Sequence, residues 1–160
     1  EGDFWLMQEL GEQYGYETMH TATLGFSGTR VSSTRIRDAL EQADFALAEE
    51  LLGRPYAISG KVIYGEQLGR TLGVPTANME LHRLRPPLSG VYTVEVLGLG
   101  PKPLPGVANV GTRPTVNDSI RANLEVHLLD YDGEFYGRTI EVVFRCSFFI
   151  NFFYNKRICF

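Results

Sequence analysis

From residue 56 onward, short runs rich in β-branched, aromatic and aliphatic residues are separated by clusters of Gly, Pro, Asn and Asp. The runs cover residues 56–64, 91–97, 106–110, 123–130 and 139–144. About five or six short strands within roughly 100 residues, joined by turn chemistry, predict a mainly β module: an antiparallel sheet closed or nearly closed into a barrel. The run NLEVHLLD is the most informative. It places Leu124, Val126 and Leu128 on one face and Glu125, His127 and Leu129 on the other, because side chains alternate along a strand. Glu125 therefore points away from the apolar face, toward solvent or toward a site.

The first 53 residues follow a different grammar. Trp5, Leu6 and Leu10 recur at helical spacing, with Gly11 or Gly15 available to end that helix, and residues 17–23 read as a short strand. Ser32, Ser33 and Thr34 are good N-cap residues ahead of an apolar stripe of Ile36, Ala39, Leu40 and Ala43. Asp44 is placed to cap a second helix through Leu47, Leu51 and Leu52, ending at Gly53 before Pro55. The reading is an α/β segment over residues 1–53 and a β module over 54–160. The tail, residues 147–160, clusters aromatics without alternation or turn chemistry.

The sequence holds 15 Lys and Arg against 19 Asp and Glu, a net charge of −4. That balance excludes a general nucleic-acid binder, so any anion site must be local. Two cysteines, Cys146 and Cys159, without metal-like spacing to histidines, give no disulfide framework or zinc site and predict a reducing, cytoplasmic setting. No apolar run is long enough to span a bilayer, and no membrane association is expected. The chain begins at Glu1 rather than Met, so a further upstream segment is expected.

The stretch GEQLGRTLGVPTAN carries Gly65, Gly69 and Gly73 at every fourth position around Arg70. Each interior Gly costs a helix about 1 kcal/mol relative to Ala, and Pro75 would stop it, so a loop is predicted. Glycine permits close approach of backbone N–H groups to a ligand, Arg70 offers a cation, and Thr76 and Asn78 offer oxygens for a metal ion or phosphate. An ordinary glycine-rich hairpin connection is the competing reading. At VSSTRIR, three hydroxyls at a helix start meet Arg30, Arg35 and Arg37, which suits an anion; a capped surface helix explains the same residues. The stretch GVANVGTRPT, residues 106–115, repeats the theme of small residues, Arg113 and Pro-Thr, and reads as a second loop that could close over a ligand. Glu125 could serve as a general base, and with Thr76 and Asn78 it supplies the parts that phosphoryl transfer needs. His82 and His127 read as structural or merely exposed.

Taken in order, GKVIYGEQLGRTLGVPTAN, GVYTVEV, GVANVGTRPT, LEVHLLDYDGEFYG and IEVVF resemble the riboflavin kinase module of the bacterial bifunctional riboflavin kinase/FAD synthetase over residues 54–146. Upstream, VSSTRIR is similar to a segment of that family's FMN adenylyltransferase module, and Gly2-Asp3 to the end of an earlier nucleotide-binding motif. The resemblance implies a six-stranded antiparallel barrel that transfers a phosphoryl group from Mg-ATP to the ribityl 5′-hydroxyl of riboflavin. It also implies that Thr76 and Asn78 bind Mg2+ and phosphate and that Glu125 is the base. Gly65, Gly69, Arg70 and Gly73 would lie in the loop over the nucleotide phosphates, Asn109 and Arg113 in the second flap, and Ser32, Ser33, Thr34 and Arg37 at the remnant nucleotide corner. The implied partners are riboflavin and ATP. That family's histidine-containing nucleotidyltransferase motif has no match here, so FAD synthesis by this chain alone is not expected. Residues 147–160 do not resemble its C-terminal helix, and on that ground the alternative is a chain that binds nucleotide or flavin without turnover.

Overall fold

A computed structural model describes residues 4–19, 22–64, 76–81, 86–114 and 120–147. It forms two compact units, Glu1–Ser32 and Ser33–Phe160. In the first, helix α1 (Phe4–Tyr14) stops where Gly15 turns to φ 74° and returns its N–H to the Gly11 carbonyl at 2.8 Å. Strands β1 (Gly25–Phe26) and β2 (Thr29–Arg30) form a short hairpin. Ser27 and Gly28 both adopt positive φ, as a tight two-residue hairpin turn requires. This corrects the strand expected over 17–23: its described residues are not in a strand, because pairing is set around the Ser27-Gly28 turn.

In the second unit, helices α2 (Ser33–Glu41) and α3 (Phe45–Leu52) precede six strands, β3 (Ala57–Lys61), β4 (Thr76–Leu81), β5 (Gly90–Leu97), β6 (Leu104–Pro114), β7 (Ile120–Leu128) and β8 (Thr139–Ser147). The chemistry expected at α3 is present. Asp44 Oδ1 accepts the Leu47 N–H at 3.0 Å, and Gly53, at φ 71°, returns its N–H to Glu49 O at 2.8 Å. Gly53 meets the left-handed conformation at no steric cost.

The strands form one antiparallel sheet in the order β3-β8-β5-β6-β7-β4. The chain beyond β3 bends back to β4, where Ile63 N–H donates to Asn78 O at 2.8 Å, so the sheet curls toward closure. Gly60 packs against Met79 at this seam, where a Cβ would lie 3.3 Å from Met79 Sδ. A register shift at Thr93/Val94 adds curvature between β5 and β8. The expectation of a six-stranded antiparallel barrel is met by this curled sheet.

Alternation fills the interior. Val94 and Val96, Ala108 and Val110, Leu124 and Val126, and Ile140 and Val142 are all buried in one core. The helix pair belongs to the same core through Leu40, Phe45 and Ala48. Phe45 stacks on Phe144 at 6.1 Å between ring centroids and meets Tyr92 edge-on at 5.7 Å, while Tyr56 and Tyr92 also contact Phe144. Such aromatic pairs add roughly 0.5–1.5 kcal/mol each beyond burial. Phe144→Ala removes the centre of this cluster, and we expect a loss of about 3–5 kcal/mol in chemical denaturation.

Tyr92 reaches the rim of the core with its hydroxyl. Its O–H donates to Ser89 O at 2.8 Å and accepts the Ser89 N–H at 3.2 Å. Burial raises its pKa above the ordinary phenol value, opposed in part by the Ser89 N–H. With the folded value above the unfolded one, the unfolded chain releases this proton first, so stability is retained below the ordinary phenol pKa and falls as pH rises past it. Melting temperatures measured from about pH 8 to 11 should decline more steeply for the native chain than for Tyr92→Phe.

Candidate active site

β7 is flanked by β4 on one side and β6 on the other. Its inward residues Leu124, Val126 and Leu128 are buried, which leaves Asn123, Glu125 and His127 half-buried on the opposite face. On β4 the same alternation sends Ala77 and Met79 inward and keeps Thr76 and Asn78 on the face of Glu125. On β6, Ala108 and Val110 go inward and Asn109 outward. Register then aligns three strands: Asn78 lies directly across from Glu125 on β4, and Asn109 directly across on β6. One step along, Thr76 faces His127. Residues directly opposite on one face have Cβ atoms about 4.5–5.5 Å apart, so these side chains are neighbours.

Two hydrogen-bonded side chains order this patch. Asn78 Nδ2 donates to Thr76 O at 3.2 Å and to Thr76 Oγ1 at 3.5 Å, which turns its carboxamide oxygen the other way. Asn123 Nδ2 donates to Glu125 Oε1 at 3.2 Å. Asn123 is not among the sequence-predicted site residues, although its position two residues before Glu125 puts it on the same strand face.

The structure brings Thr76, Asn78, Asn109 and Glu125 together and corrects where two of the stretches lie. Thr76 and Asn78 sit within β4 rather than in a loop or turn, because Ala77 and Met79 pack into the core and draw the chain into the sheet. Residues 109–114 continue β6, paired with 120–125, rather than forming a flap; the inward Ala108 and Val110 carry the strand past its expected end. Arg113 is thus a strand residue opposite Arg121. Ser33, Thr34 and Arg37 are exposed on α2 and are not on the face of Glu125, while Ser32 ends the other unit. Gly65, Gly69, Arg70 and Gly73 lie outside the described residues, as do Gly2-Asp3, His82 and residues 148–160.

A cleft of about 610 Å³ runs along β3, lined in part by Arg54, Tyr56, Lys61, Leu81 and Pro86, and reaches the seam at Ile63, whose backbone bonds Asn78. Among the described residues, no group of three or more His, Cys, Asp or Glu could hold a metal. Mg2+ does not require such a cage: it usually keeps several waters and is held by one or two carboxylates together with substrate phosphates. Thr76 and Asn78 are neutral, and the Thr76 hydroxyl here accepts from Asn78 Nδ2; only with the carboxamide turned so that its oxygen takes the place of its nitrogen would the pair present two adjacent oxygens to a cation.

The geometry defines a curled antiparallel barrel whose outer face sets the Glu125 carboxylate between Asn78 and Asn109, beside Thr76. Residues 52–148 match the family model "Flavokinase: Riboflavin kinase", and the chain belongs to the riboflavin kinase family. It is 59% identical over 145 residues to the bifunctional riboflavin kinase/FMN adenylyltransferase of Escherichia coli (strain K12), covering 91% of this chain and 46% of that protein. To the protein of the same description in Pseudomonas fluorescens it is 51% identical over 143 residues, 89% of this chain and 46% of the relative. The chain spans about half the length of these curated relatives. A crystal structure described as a macrolide-efflux protein from Streptococcus pneumoniae is similar with a TM-score of 0.65 and 30% identity, over 88% of this chain and 47% of that one.

The alignment of Asn109, Glu125 and Asn78 depends on how closely β6 approaches β7. Gly106 is buried, and a Cβ there would sit 2.8 Å from the His127 carbonyl oxygen. Gly106→Ala should push the strands apart at a cost of about 1–3 kcal/mol, read as a lower melting temperature with faster amide exchange along β6 and β7.

Proposed function

We propose that this chain catalyses transfer of the γ-phosphoryl group of Mg-ATP to the ribityl 5′-hydroxyl of riboflavin, giving FMN and ADP. The observation that carries this reading is the placement of Glu125 between Asn78 and Asn109, one step from Thr76, within the residues that match the riboflavin kinase family. Glu125 accepts the proton of the 5′-hydroxyl as that oxygen bonds to the γ-phosphorus and the bond to the β-phosphate oxygen breaks. A base of this kind works by reach and orientation, and the strand position of Glu125 with its bond from Asn123 supports the second. Thr76 and Asn78 would hold Mg2+, which would supply positive charge to the phosphates. The stretch with Gly65, Gly69, Arg70 and Gly73 would bind the nucleotide phosphates, and Asn109 and Arg113 would border the substrates.

Residues 1–53 are read as the C-terminal part of an FMN adenylyltransferase-like α/β domain, with Ser32, Ser33, Thr34 and Arg37 at its nucleotide corner, and 54–160 as the kinase module. That division rests on the resemblance of VSSTRIR and on the two-part description of the relatives. Dependence on ATP and riboflavin argues for a cytoplasmic reaction.

Glu125→Gln keeps shape and hydrogen bonding but removes the base. Chromatography of riboflavin, ATP and Mg2+ incubated with this variant should show FMN formation lowered about 10^2- to 10^4-fold, with riboflavin binding retained. Near-normal turnover would overturn the assignment of Glu125.

A further inference from the structure

We propose that Asn123 is a positioning residue that orients the carboxylate of Glu125 for proton abstraction, an inference that rests on the reading of Glu125 as the base. The terminal torsion of a glutamate is broad and roughly two-fold, so packing alone does not decide which oxygen, or which lone pair, faces a substrate hydroxyl. The hydrogen bond from Asn123 Nδ2 to Glu125 Oε1, 3.2 Å long, selects one orientation. An ionised carboxylate only accepts hydrogen bonds, so it is the amide nitrogen of Asn123 that must face it.

The sheet gives Asn123 room to do this. Asn123 and Glu125 are two residues apart on one strand and therefore on one face, both half-buried. Across from Asn123 on β6 stands Gly111, with no side chain and open space where a Cβ would be. On the β4 side Glu80 stands across from Asn123; on the β6 side the Asn123 carboxamide meets no side chain from Gly111, and it lies along its own strand toward Glu125. Glu125 itself is flanked at its own level by Asn78 and Asn109. Asn123 is thus the member of this set that reaches the carboxylate from along β7.

The test is steady-state kinetics of FMN formation by the full chain and by Asn123→Leu, Asn123→Gln, Glu125→Gln and the double variant Asn123→Leu/Glu125→Gln. Losing a hydrogen bond to a charged group should lower kcat about tenfold in Asn123→Leu. KM for riboflavin and for ATP should stay within about twofold, since the contact is to the base and not to a substrate. Asn123→Gln, which keeps the amide, should recover most of the loss. In the Glu125→Gln background, Asn123→Leu should cost nothing further, because a residue that acts only through another is not additive with it. Near-normal turnover by Glu125→Gln would overturn the base, and this inference with it. Collapse of Glu125→Gln alongside an unchanged kcat in Asn123→Leu, or the same loss from Asn123→Leu in both backgrounds, would overturn the positioning role alone. A readout independent of turnover is the side-chain amide resonance of Asn123, which should shift in Glu125→Ala; an unmoved resonance would also overturn it.

Discussion

The register of β7 between β4 and β6 is the constraint on which the rest of this structure depends. Side chains alternate with a period of two, so the burial of Leu124, Val126 and Leu128 and the outward placement of Asn123, Glu125 and His127 are one fact. A slip of one residue would drive Glu125 into an apolar core, where an unpaired carboxylate is far costlier than the loss of a few apolar contacts. The core thereby polices the site. The same pairing sets Asn78 and Asn109 at the level of Glu125, so the patch needs no dedicated loop to assemble its strand residues.

Closure of the sheet is tied to the same residues. Asn78 gives its backbone carbonyl to Ile63 across the seam while its side chain serves the outer face, so the seam and the site share one residue. At the other side of the sheet, the chain enters β3 from α3, and Phe45 of that helix packs on Phe144 of β8 and on Tyr92 of β5. The helix pair therefore belongs to the core of the curled sheet, even though the family match begins only at residue 52. Sequence grammar changes after Pro55, whereas burial continues across that point, because an amphipathic helix can lend its apolar stripe to whatever core lies beside it.

Much of this is legible in the amino-acid sequence. LEVHLLD announces β7 and both its faces, and the Asp44 and Gly53 caps announce α3, because alternation and capping are local physics. β4 is harder to see. The glycines and proline ahead of Thr76 dominate their window, yet TANMEL alternates polar with apolar residues, and Ala77 and Met79 are buried. β6 reads as ending at Val110 because Gly111 and Pro114 look like breakers, while pairing with Ile120–Leu128 holds the strand through Pro114. Gly25–Phe26 and Thr29–Arg30 are too short to carry a periodic signal, and only the Ser27-Gly28 turn identifies them. Asn123 escapes a reading of the sequence for a different reason: its role is visible only as a distance to another side chain.

The chemistry of the outer face follows from what surrounds Glu125. A carboxylate can be oriented by a cation or by neutral donors, and the two choices have different consequences. A neighbouring Arg or Lys holds a carboxyl in its ionised form and makes it a poorer proton acceptor. An amide orients it through a hydrogen bond with a smaller electrostatic effect, because it brings no net charge. Asn123 donates to Glu125 directly, and Asn78 and Asn109 stand across from it, so at the level of the proposed base the sheet offers carboxamides on every strand that flanks it. Asn123 thus gives this carboxylate a direction while adding no net charge of its own, which in the proposed reaction leaves the handling of phosphate charge to other groups.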